Sequence, residues 1–168
     1  IPLTTYLDYK EYIDMIVRGE KEVLTSDSIN LLGATSGTSG YKNLLPHTAK
    51  ISSTFFLNGI SLVFHELFEG YPEADQLQKT CKLTFLPRWT FTPNGLLKIG
   101  PASSSPDDKN FNRLLPLYST PKSAFMLRNE EAALYAHILF ALRDRNLGII
   151  EANFAPMILT FFNFMVEH

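Results

Sequence analysis

A run of small residues between two short apolar segments limits the folds open to this chain more than any other sequence feature. The apolar segment 29–32 leads into Ala-Thr-Ser-Gly-Thr-Ser-Gly at 34–40, and the segment 42–45 is again short and mostly apolar before Pro46. Short apolar segments bounded by Gly, Pro and Ser are typical of β-strands. The pattern therefore predicts two strands, the second stopped by Pro46, joined by a loop of glycines and hydroxyl-bearing residues.

Helical patterns alternate with strand patterns along the rest of the chain. Apolar residues at every third or fourth position predict helices at 8–18, 48–69, 129–145 and from Phe154 onward, with Pro156 in the first turn of the last. Alternating segments predict a hairpin within 80–100, around Asn94-Gly95, and a strand at 149–151. Strands interleaved with helices predict an α/β, mixed α+β fold. The polar segment 102–112 is predicted to be a mobile surface loop.

The helix predicted at 129–145 carries clear signals at both ends. Asn129 is a good N-cap, acidic Glu130 and Glu131 follow in the first turn, and basic residues close the last turn. The residues predicted to form its buried stripe are Tyr135, Ile138, Leu139 and Leu142. His137 lies beside that stripe, so we expect it to make a structural hydrogen bond.

Length, charge and cysteine usage restrict the classes of protein to which this chain can belong. The chain has 168 residues, 45% of them hydrophobic, which predicts one globular domain, 1–168. A net charge of -2 predicts no nucleic-acid partner, and no apolar run approaches the roughly 20 residues of a membrane span. The single Cys81 favours a reducing, cytoplasmic location. Because an apolar run immediately precedes His168, we expect a segment of a longer polypeptide, or one that needs a partner.

The small-residue loop has the composition of a phosphate-binding segment. Between Thr35 and Lys42 it offers hydroxyl donors, and its glycines let backbone amides approach an anion closely. A cation such as Lys42 would add charge-assisted hydrogen bonds to phosphate, each worth about 1.5 to 3 kcal/mol. The Walker loop, the dinucleotide fingerprint and the hydrolase elbow do not fit the loop's spacing. A plain surface turn is the alternative.

Thr-Ser-Gly-Thr-Ser-Gly resembles the first motif of adenylate-forming enzymes. Among these, the chain is most similar to the auxin-responsive (Gretchen Hagen) acyl acid amido synthetases, whose motif reads roughly Ser-Ser-Gly-Thr-Ser-x-Gly-x-x-Lys, followed by Pro. The resemblance extends to Leu117-Tyr-Ser-Thr-Pro121, the helix through 134–139 and the turn to Phe154-Ala155. It implies an N-terminal part of the large domain of such an enzyme, a mixed sheet flanked by helices.

The resemblance also implies a reaction and the residues that serve it. Such enzymes activate a small carboxylic acid with ATP and Mg²⁺ as an acyl-adenylate and then pass the acyl group to an amino acid. The loop residues that would hold the ATP phosphates are Ser36, Gly37, Thr38, Ser39, Gly40 and Lys42. The residues that would line part of the acid pocket are Tyr118, Ser119, Phe154, Ala155 and Ile158, with Thr120 beside them. Ordinary core packing is the alternative for the pocket residues.

Two departures from the family pattern keep other functions open. The spacing from the loop to Pro46 is one residue shorter, so an inactive nucleotide-binding or protein-interaction module of the same fold is one alternative. A carboxylate-CoA ligase, which shares the first motif, is another. The later adenine- and ribose-binding motifs are absent from the 168 residues, so we expect no turnover without the remainder of the polypeptide. The scattered histidines predict no metal site beyond Mg²⁺ carried by the nucleotide.

Overall fold

A computed structural model describes residues 2–35, 43–76, 79–102, 105–106 and 111–168. The α-helices are α1 Lys10–Arg18, α2 Ala49–Thr54, α3 Ser61–Gly70, α4 Phe111–Leu114, α5 Lys122–Phe125, α6 Glu130–Arg143 and α7 Ala155–Glu167. The strands are β1 Ile29–Ala34, β2 Leu44–Thr48, β3 Lys79–Leu83, β4 Thr90–Phe91, β5 Lys98–Gly100 and β6 Leu147–Ala152. A π-helical segment, Phe55–Ile60, joins α2 to α3, and 3-10 turns lie at Tyr6–Asp8, Pro72–Gln76 and Leu115–Leu117. The mixed α/β class predicted from the sequence is confirmed.

Residue contacts divide the chain into two compact units. The first unit comprises Ile1–Phe64 and Pro87–Ser103, and the second comprises His65–Leu86 and Ser104–His168. Each unit carries its own sheet. The prediction that 1–168 forms one domain stays a prediction.

The first unit is built on a four-stranded sheet of order β2-β1-β5-β4. β1 pairs antiparallel with β2 and parallel with β5, and β4 completes a hairpin with β5. The predicted Asn94-Gly95 turn closes this hairpin: Gly95 has φ 72°, and its N–H donates to the Thr92 carbonyl at 2.8 Å. At the start of the unit, α1 ends at Gly19, whose φ of 98° is the left-handed conformation that glycine adopts without strain.

Pro46 corrects one predicted boundary. Rather than stopping the strand, it lies inside β2, opposite Leu32 of β1. β2 is the edge strand of its sheet. Because one side of an edge strand makes no ladder hydrogen bonds, the missing N–H of a proline is tolerated there.

The second unit is built on a parallel pair, β3 and β6, with α6 and α7 packed on it. Its apolar cluster contains the buried residues Cys81, Leu83, Leu134, Ile138, Ala141 and Phe161. A smaller aromatic cluster contains Phe111, Tyr118 and Phe125, with ring centroids 5.0 to 5.7 Å apart. The β structure predicted within 80–100 is divided between the two sheets, because β3 pairs with β6 and the hairpin of β4 and β5 belongs to the first unit.

Two more predictions change in the second unit. The stripe of α6 is displaced: Ala133, Leu134, His137, Ile138 and Ala141 are buried, whereas Tyr135, Leu139 and Leu142 are exposed. The buried positions are occupied by small alanines and by His137 in place of the large residues that the periodicity favoured.

The predicted surface loop 102–112 is the second change. Ser105 and Pro106 are buried and α4 begins at Phe111, so the loop prediction is wrong at these positions. Residues 103–104 and 107–110 lie outside the described residues.

The helix predicted at 48–69 is confirmed as the continuous helical stretch 49–70. Asn58 and Gly59 lie in its π-helical segment, where a locally widened helix accommodates them. By length and composition this stretch is apolar enough to cross a membrane, a criterion that core helices of water-soluble proteins also meet. The absence of a membrane partner stays a prediction.

Candidate functional site

The predicted phosphate loop is anchored at its base by the β1–β2 pair. Ala34 of β1 lies opposite Leu44 of β2, and one residue further the Thr35 N–H donates to the Asn43 carbonyl at 3.0 Å. The loop residues themselves lie outside the described residues; they are Ser36, Gly37, Thr38, Ser39, Gly40 and Lys42. The described part of the chain therefore fixes where the loop leaves and rejoins the sheet.

His47 covers the backbone of Gly33 next to this base. A Cβ atom at Gly33 would lie 3.1 Å from the Cδ2 atom of His47 and 3.1 Å from the Cβ atom of Ala102, so the close packing depends on glycine. The Nδ1 atom of His47 is buried and has no hydrogen-bond partner among the residues that the structure describes. A buried polar atom without a hydrogen bond costs about 1 to 3 kcal/mol. The sequence analysis did not select His47 as a site residue.

The segment 118–119, predicted for the acid pocket, lies beside β3 in the second unit. Tyr118 forms an isolated parallel bridge with Thr80, and the Ser119 N–H donates to the Thr80 carbonyl at 3.1 Å. Tyr118 is 9% exposed within the aromatic cluster. Burial raises the pKa of its phenol to about 12, with a further contribution from the Glu151 carboxylate. The Tyr118 side chain is thus a neutral member of the core, and the hydroxyl of half-buried Ser119 donates to the Thr80 carbonyl at 3.4 Å.

Thr120, next in the chain, is tied to His137 in a fully buried pair. The Nε2 atom of His137 lies 3.1 Å from the Thr84 carbonyl oxygen, and its Nδ1 atom lies 3.0 Å from the Thr120 Oγ1 atom. Because a carbonyl only accepts, Nε2 carries the proton, and Nδ1 accepts from the Thr120 hydroxyl. Burial lowers the pKa of His137, which keeps the ring neutral. The expected structural hydrogen bond is confirmed.

The remaining predicted pocket residues stand at the start of α7. Phe154 is the N-cap residue and is 68% exposed, Ala155 is exposed, and Ile158 packs partly against the apolar cluster. Phe154 and Ala155 are therefore free to contact a ligand from this helix end. Their part in an acid pocket stays a prediction.

A cavity of about 240 Å³ lies between α6 and α7 in the second unit. Its lining residues are Leu83, Phe85, Glu130, Glu131, Leu134, Met157, Thr160 and Phe164. Its volume is below the roughly 300 to 1,000 Å³ of small-molecule sites. Sequence patterns gave no sign of it, since its walls come from three separate elements. In the described ranges, no three His, Cys, Asp or Glu side chains come together as a metal site.

Comparison with known proteins identifies the family. The family model described as "GH3 family N-terminal domain" matches residues 1–168, the whole chain. The chain belongs to the GH3 family. The resemblance noted in the sequence is thereby confirmed.

Three similar proteins come from two plants. "4-substituted benzoates-glutamate ligase GH3.12" of Arabidopsis thaliana is 24% identical over 87% of this chain and 26% of its own length. "Indole-3-acetic acid-amido synthetase GH3.15" of Arabidopsis thaliana is 28% identical over the whole chain and 29% of its own length. "Probable indole-3-acetic acid-amido synthetase GH3.13" of rice, Oryza sativa subsp. japonica, is 27% identical over the whole chain and 37% of its own length. The chain thus spans between about a quarter and two fifths of these relatives.

A solved structure shares the fold of this GH3 chain. "AtGH3.15 acyl acid amido synthetase in complex with 2,4-DB" superposes with a TM-score of 0.77 at 23% identity, covering the whole chain and 29% of that structure. The mixed sheet with flanking helices is therefore shared with the matching part of this solved amido synthetase structure. At that identity the superposition supports the fold alone.

Proposed function

We propose that this chain is the N-terminal part of an ATP-dependent acyl acid amido synthetase, which activates a carboxylic acid as an acyl-adenylate and joins it to an amino acid. The observation that carries the proposal is the family match over the whole chain, together with relatives named as ligases and amido synthetases. Within that enzyme, this chain would supply the phosphate loop and part of the acid pocket. The acid and the amine are small molecules that this chain would help to bind.

The residues at the loop fit a nucleotide phosphate. The donor set from Ser36 to Lys42 consists of hydroxyls, amides freed by glycine and one ammonium, which is the chemistry that phosphate oxygens require. The Thr35–Asn43 hydrogen bond holds both ends of the loop at the sheet, so fewer conformations are lost when an anion binds. The orphaned Nδ1 atom of His47 adds a polar group that lacks a partner in the described residues.

Each part of this chain would have a distinct role in the reaction. The hydroxyls of Ser36, Thr38 and Ser39 and the amides of the loop would orient the phosphates, and Lys42 would offset their negative charge. ATP with Mg²⁺ supplies the phosphoryl chemistry and the leaving group when bound. The exposed Phe154 and Ala155 would provide apolar contacts to the acid, since acid pockets of this kind are mostly apolar with a few polar groups.

Partners and location follow from the same proposal. The remainder of the same polypeptide would bring the later nucleotide-binding motifs and complete the enzyme, so the 168 residues alone would not turn over. The single thiol, Cys81, is buried, and burial raises its pKa to about 12, so it is protected from oxidation. A cytoplasmic location is consistent with this cysteine usage.

The experiment that tests the proposal measures pyrophosphate release by the full-length polypeptide with ATP, Mg²⁺ and a panel of carboxylic acids. Release that depends on one class of acid, followed by amide formation with an amino acid, is the expected result. Thioester formation with coenzyme A and no amide would assign a carboxylate-CoA ligase instead. No release with any acid, together with no nucleotide binding, would leave an interaction module of the GH3 fold.

A further inference from the structure

The cavity between α6 and α7 has an apolar interior. The side chains that form this interior are buried or half-buried: Leu83, Phe85, Leu134, Met157 and Phe164. Such a lining favours hydrocarbon over water. At about 240 Å³, the cavity is larger than the roughly 150 Å³ of an engineered apolar cavity that binds benzene. The interior therefore has room for one aromatic ring, or for a branched alkyl group of similar size, together with a short polar substituent.

The polar side chains that line the cavity offer hydrogen-bond acceptors. Glu130 and Glu131 of α6 and Thr160 of α7 are exposed, so they stand at the mouth of the cavity. An ionised carboxylate only accepts hydrogen bonds. The Thr160 hydroxyl already donates to the Pro156 carbonyl at 3.0 Å, so its lone pairs are left for a ligand. A ligand that pairs with these groups must therefore carry donors.

The mouth of the cavity also carries a negative charge. In the described ranges, none of the ion pairs includes Glu130 or Glu131. The backbone amides of Ala132 and Ala133 are already used, because they donate to the Asn129 side chain at 2.8 Å and to the Asn129 carbonyl at 3.0 Å. Two carboxylates repel an anion and attract a cation. The charge at the mouth thus selects a cationic donor.

We propose that the cavity between α6 and α7 binds a small primary amine that carries an aryl or branched alkyl group. The hydrocarbon lies in the apolar interior, and the protonated amine donates to Glu130 and Glu131 at the mouth. The three N–H donors of a primary ammonium group are enough for both carboxylates and for the Thr160 oxygen. A free amino acid fits poorly, because its own carboxylate would lie beside two others. The inferred ligand is therefore not the amino acid of the proposed ligase reaction, and the inference does not depend on that reaction.

Isothermal titration of the full-length protein with benzylamine and benzyl alcohol tests this inference. The two compounds share one ring and one methylene and differ in the head group, which at neutral pH is an ammonium in the first and a neutral hydroxyl in the second. We expect benzylamine to bind roughly 3- to 30-fold more tightly, the range that two exposed ion pairs provide. Glu130→Gln and Glu131→Gln together should remove this advantage. Glu66→Gln and Glu69→Gln, which remove two exposed carboxylates from α3, are the matched control and should preserve it.

A second pair of variants locates the bound amine. Thr160→Trp places an indole ring at the mouth of the cavity, whereas Asn163→Trp places the same ring at an exposed position of α7 that does not line the cavity. We expect Thr160→Trp to weaken benzylamine binding at least about 10-fold and Asn163→Trp to leave it unchanged. Buried Cys81 reports folding, because it stays unreactive only while the apolar cluster is intact.

Three results would overturn the inference. The first is no saturable binding of benzylamine by the full-length protein. The second is equal affinity for the amine and the alcohol, which would show that the carboxylates take no part. The third is unchanged benzylamine binding by folded Thr160→Trp, which would place the amine elsewhere. Should Thr160→Trp unfold, the glutamate variants decide, because their substitutions lie at exposed positions: an amine advantage that survives Glu130→Gln and Glu131→Gln contradicts the inference.

Discussion

Replacing His137 with leucine removes two buried hydrogen bonds without a large change in volume. Thr120 Oγ1 loses its acceptor partner, Nδ1, and the Thr84 carbonyl loses its donor, Nε2. Thr120 is 1% exposed, so its hydroxyl is left in an apolar surrounding at a cost of about 1 to 3 kcal/mol. The edge-to-face contact with Phe125, at 4.9 Å between centroids, adds about 0.5 to 1.5 kcal/mol. His137→Leu should therefore lower the free energy of opening of the second unit by about 2 to 4 kcal/mol.

The rate at which Cys81 reacts with a thiol reagent in increasing urea measures this opening. Cys81 is fully buried, and its Sγ atom donates to the His137 carbonyl at 3.8 Å, so it reports the cluster that contains the substitution. His65→Leu, an exposed histidine on α3, is the control and should change the free energy by less than about 0.5 kcal/mol. The double variant His137→Leu, Thr120→Val should be less destabilised than the sum of the two single changes, because it removes the stranded hydroxyl. Additive effects would refute the hydrogen-bonded pair.

The same histidine gives the second unit a pH dependence with a definite sign. Burial lowers the pKa of His137 in the folded protein, so between that pKa and the ordinary value of 6.5 the unfolded chain binds a proton that the folded chain does not. Stability is complete above about pH 6.5 and declines as the pH falls toward the folded pKa, by at most about 1.4 kcal/mol per pH unit for one proton. His137→Leu should lose this component, and an unchanged pH profile would contradict the neutral buried ring.

Three further changes test the cap, a close contact and the loop. Asn129→Ala should destabilise α6 by about 0.5 to 2 kcal/mol in the Cys81 assay, because the Asn129 side chain accepts from a backbone N–H of the first turn at 2.8 Å. Gly100→Ala would place a Cβ atom 2.5 Å from the Trp89 ring, so the ring must move, and a shift in tryptophan emission should accompany a loss of stability of about 1 to 3 kcal/mol. Thr38→Ala and Ser39→Ala in the full-length enzyme should each weaken nucleotide use roughly 10- to 150-fold, equivalent to one charge-assisted bond, as measured by pyrophosphate release.

Matched controls make these three tests specific. Gly70→Ala meets no atom within 4 Å and should leave both stability and tryptophan emission nearly unchanged. Ser28→Ala, an exposed serine before β1, removes a hydroxyl outside the loop and should leave nucleotide use unchanged. A large effect at Gly70 or Ser28, or none at the loop or at Gly100, would contradict the respective interpretation.

Local signals predicted the helix ends because the physics at those positions is local. Gly19 takes a left-handed conformation, and the Asn129 side chain caps α6, so one residue settles each boundary. The pairing of β3 with β6 depends instead on residues about seventy positions apart, such as Lys82 and Glu151, which form an ion pair across the two strands. No periodicity within either segment carries that information, so the pairing could be learned from the structure alone.

The buried face of α6 shows why hydropathy alone misplaces a stripe. His137 counts as polar, yet two hydrogen bonds satisfy its ring and allow full burial. Tyr135 and Leu142 count as core residues, yet they are more than half exposed. A rule that admits satisfied polar groups and small alanines would have selected the correct side of this helix.

The candidate site was predictable to the extent that its chemistry resides in one continuous segment. The donors of the loop 35–42 are neighbours in the sequence, so the sequence alone identifies them. His47 approaches Gly33 only through the pairing of β1 with β2. The cavity between α6 and α7 forms only where residues from three parts of the chain meet. β1 is paired on both sides, and Leu32, close to the loop, is fully buried, so the strand that leads into the loop has a fixed position. Anion binding gains from such a base, because a group held in place before binding loses little freedom on binding. Substitutions that loosen β1 should consequently weaken nucleotide use even though they touch no phosphate. The same substitutions should leave nucleotide use unchanged if the loop is only a surface turn.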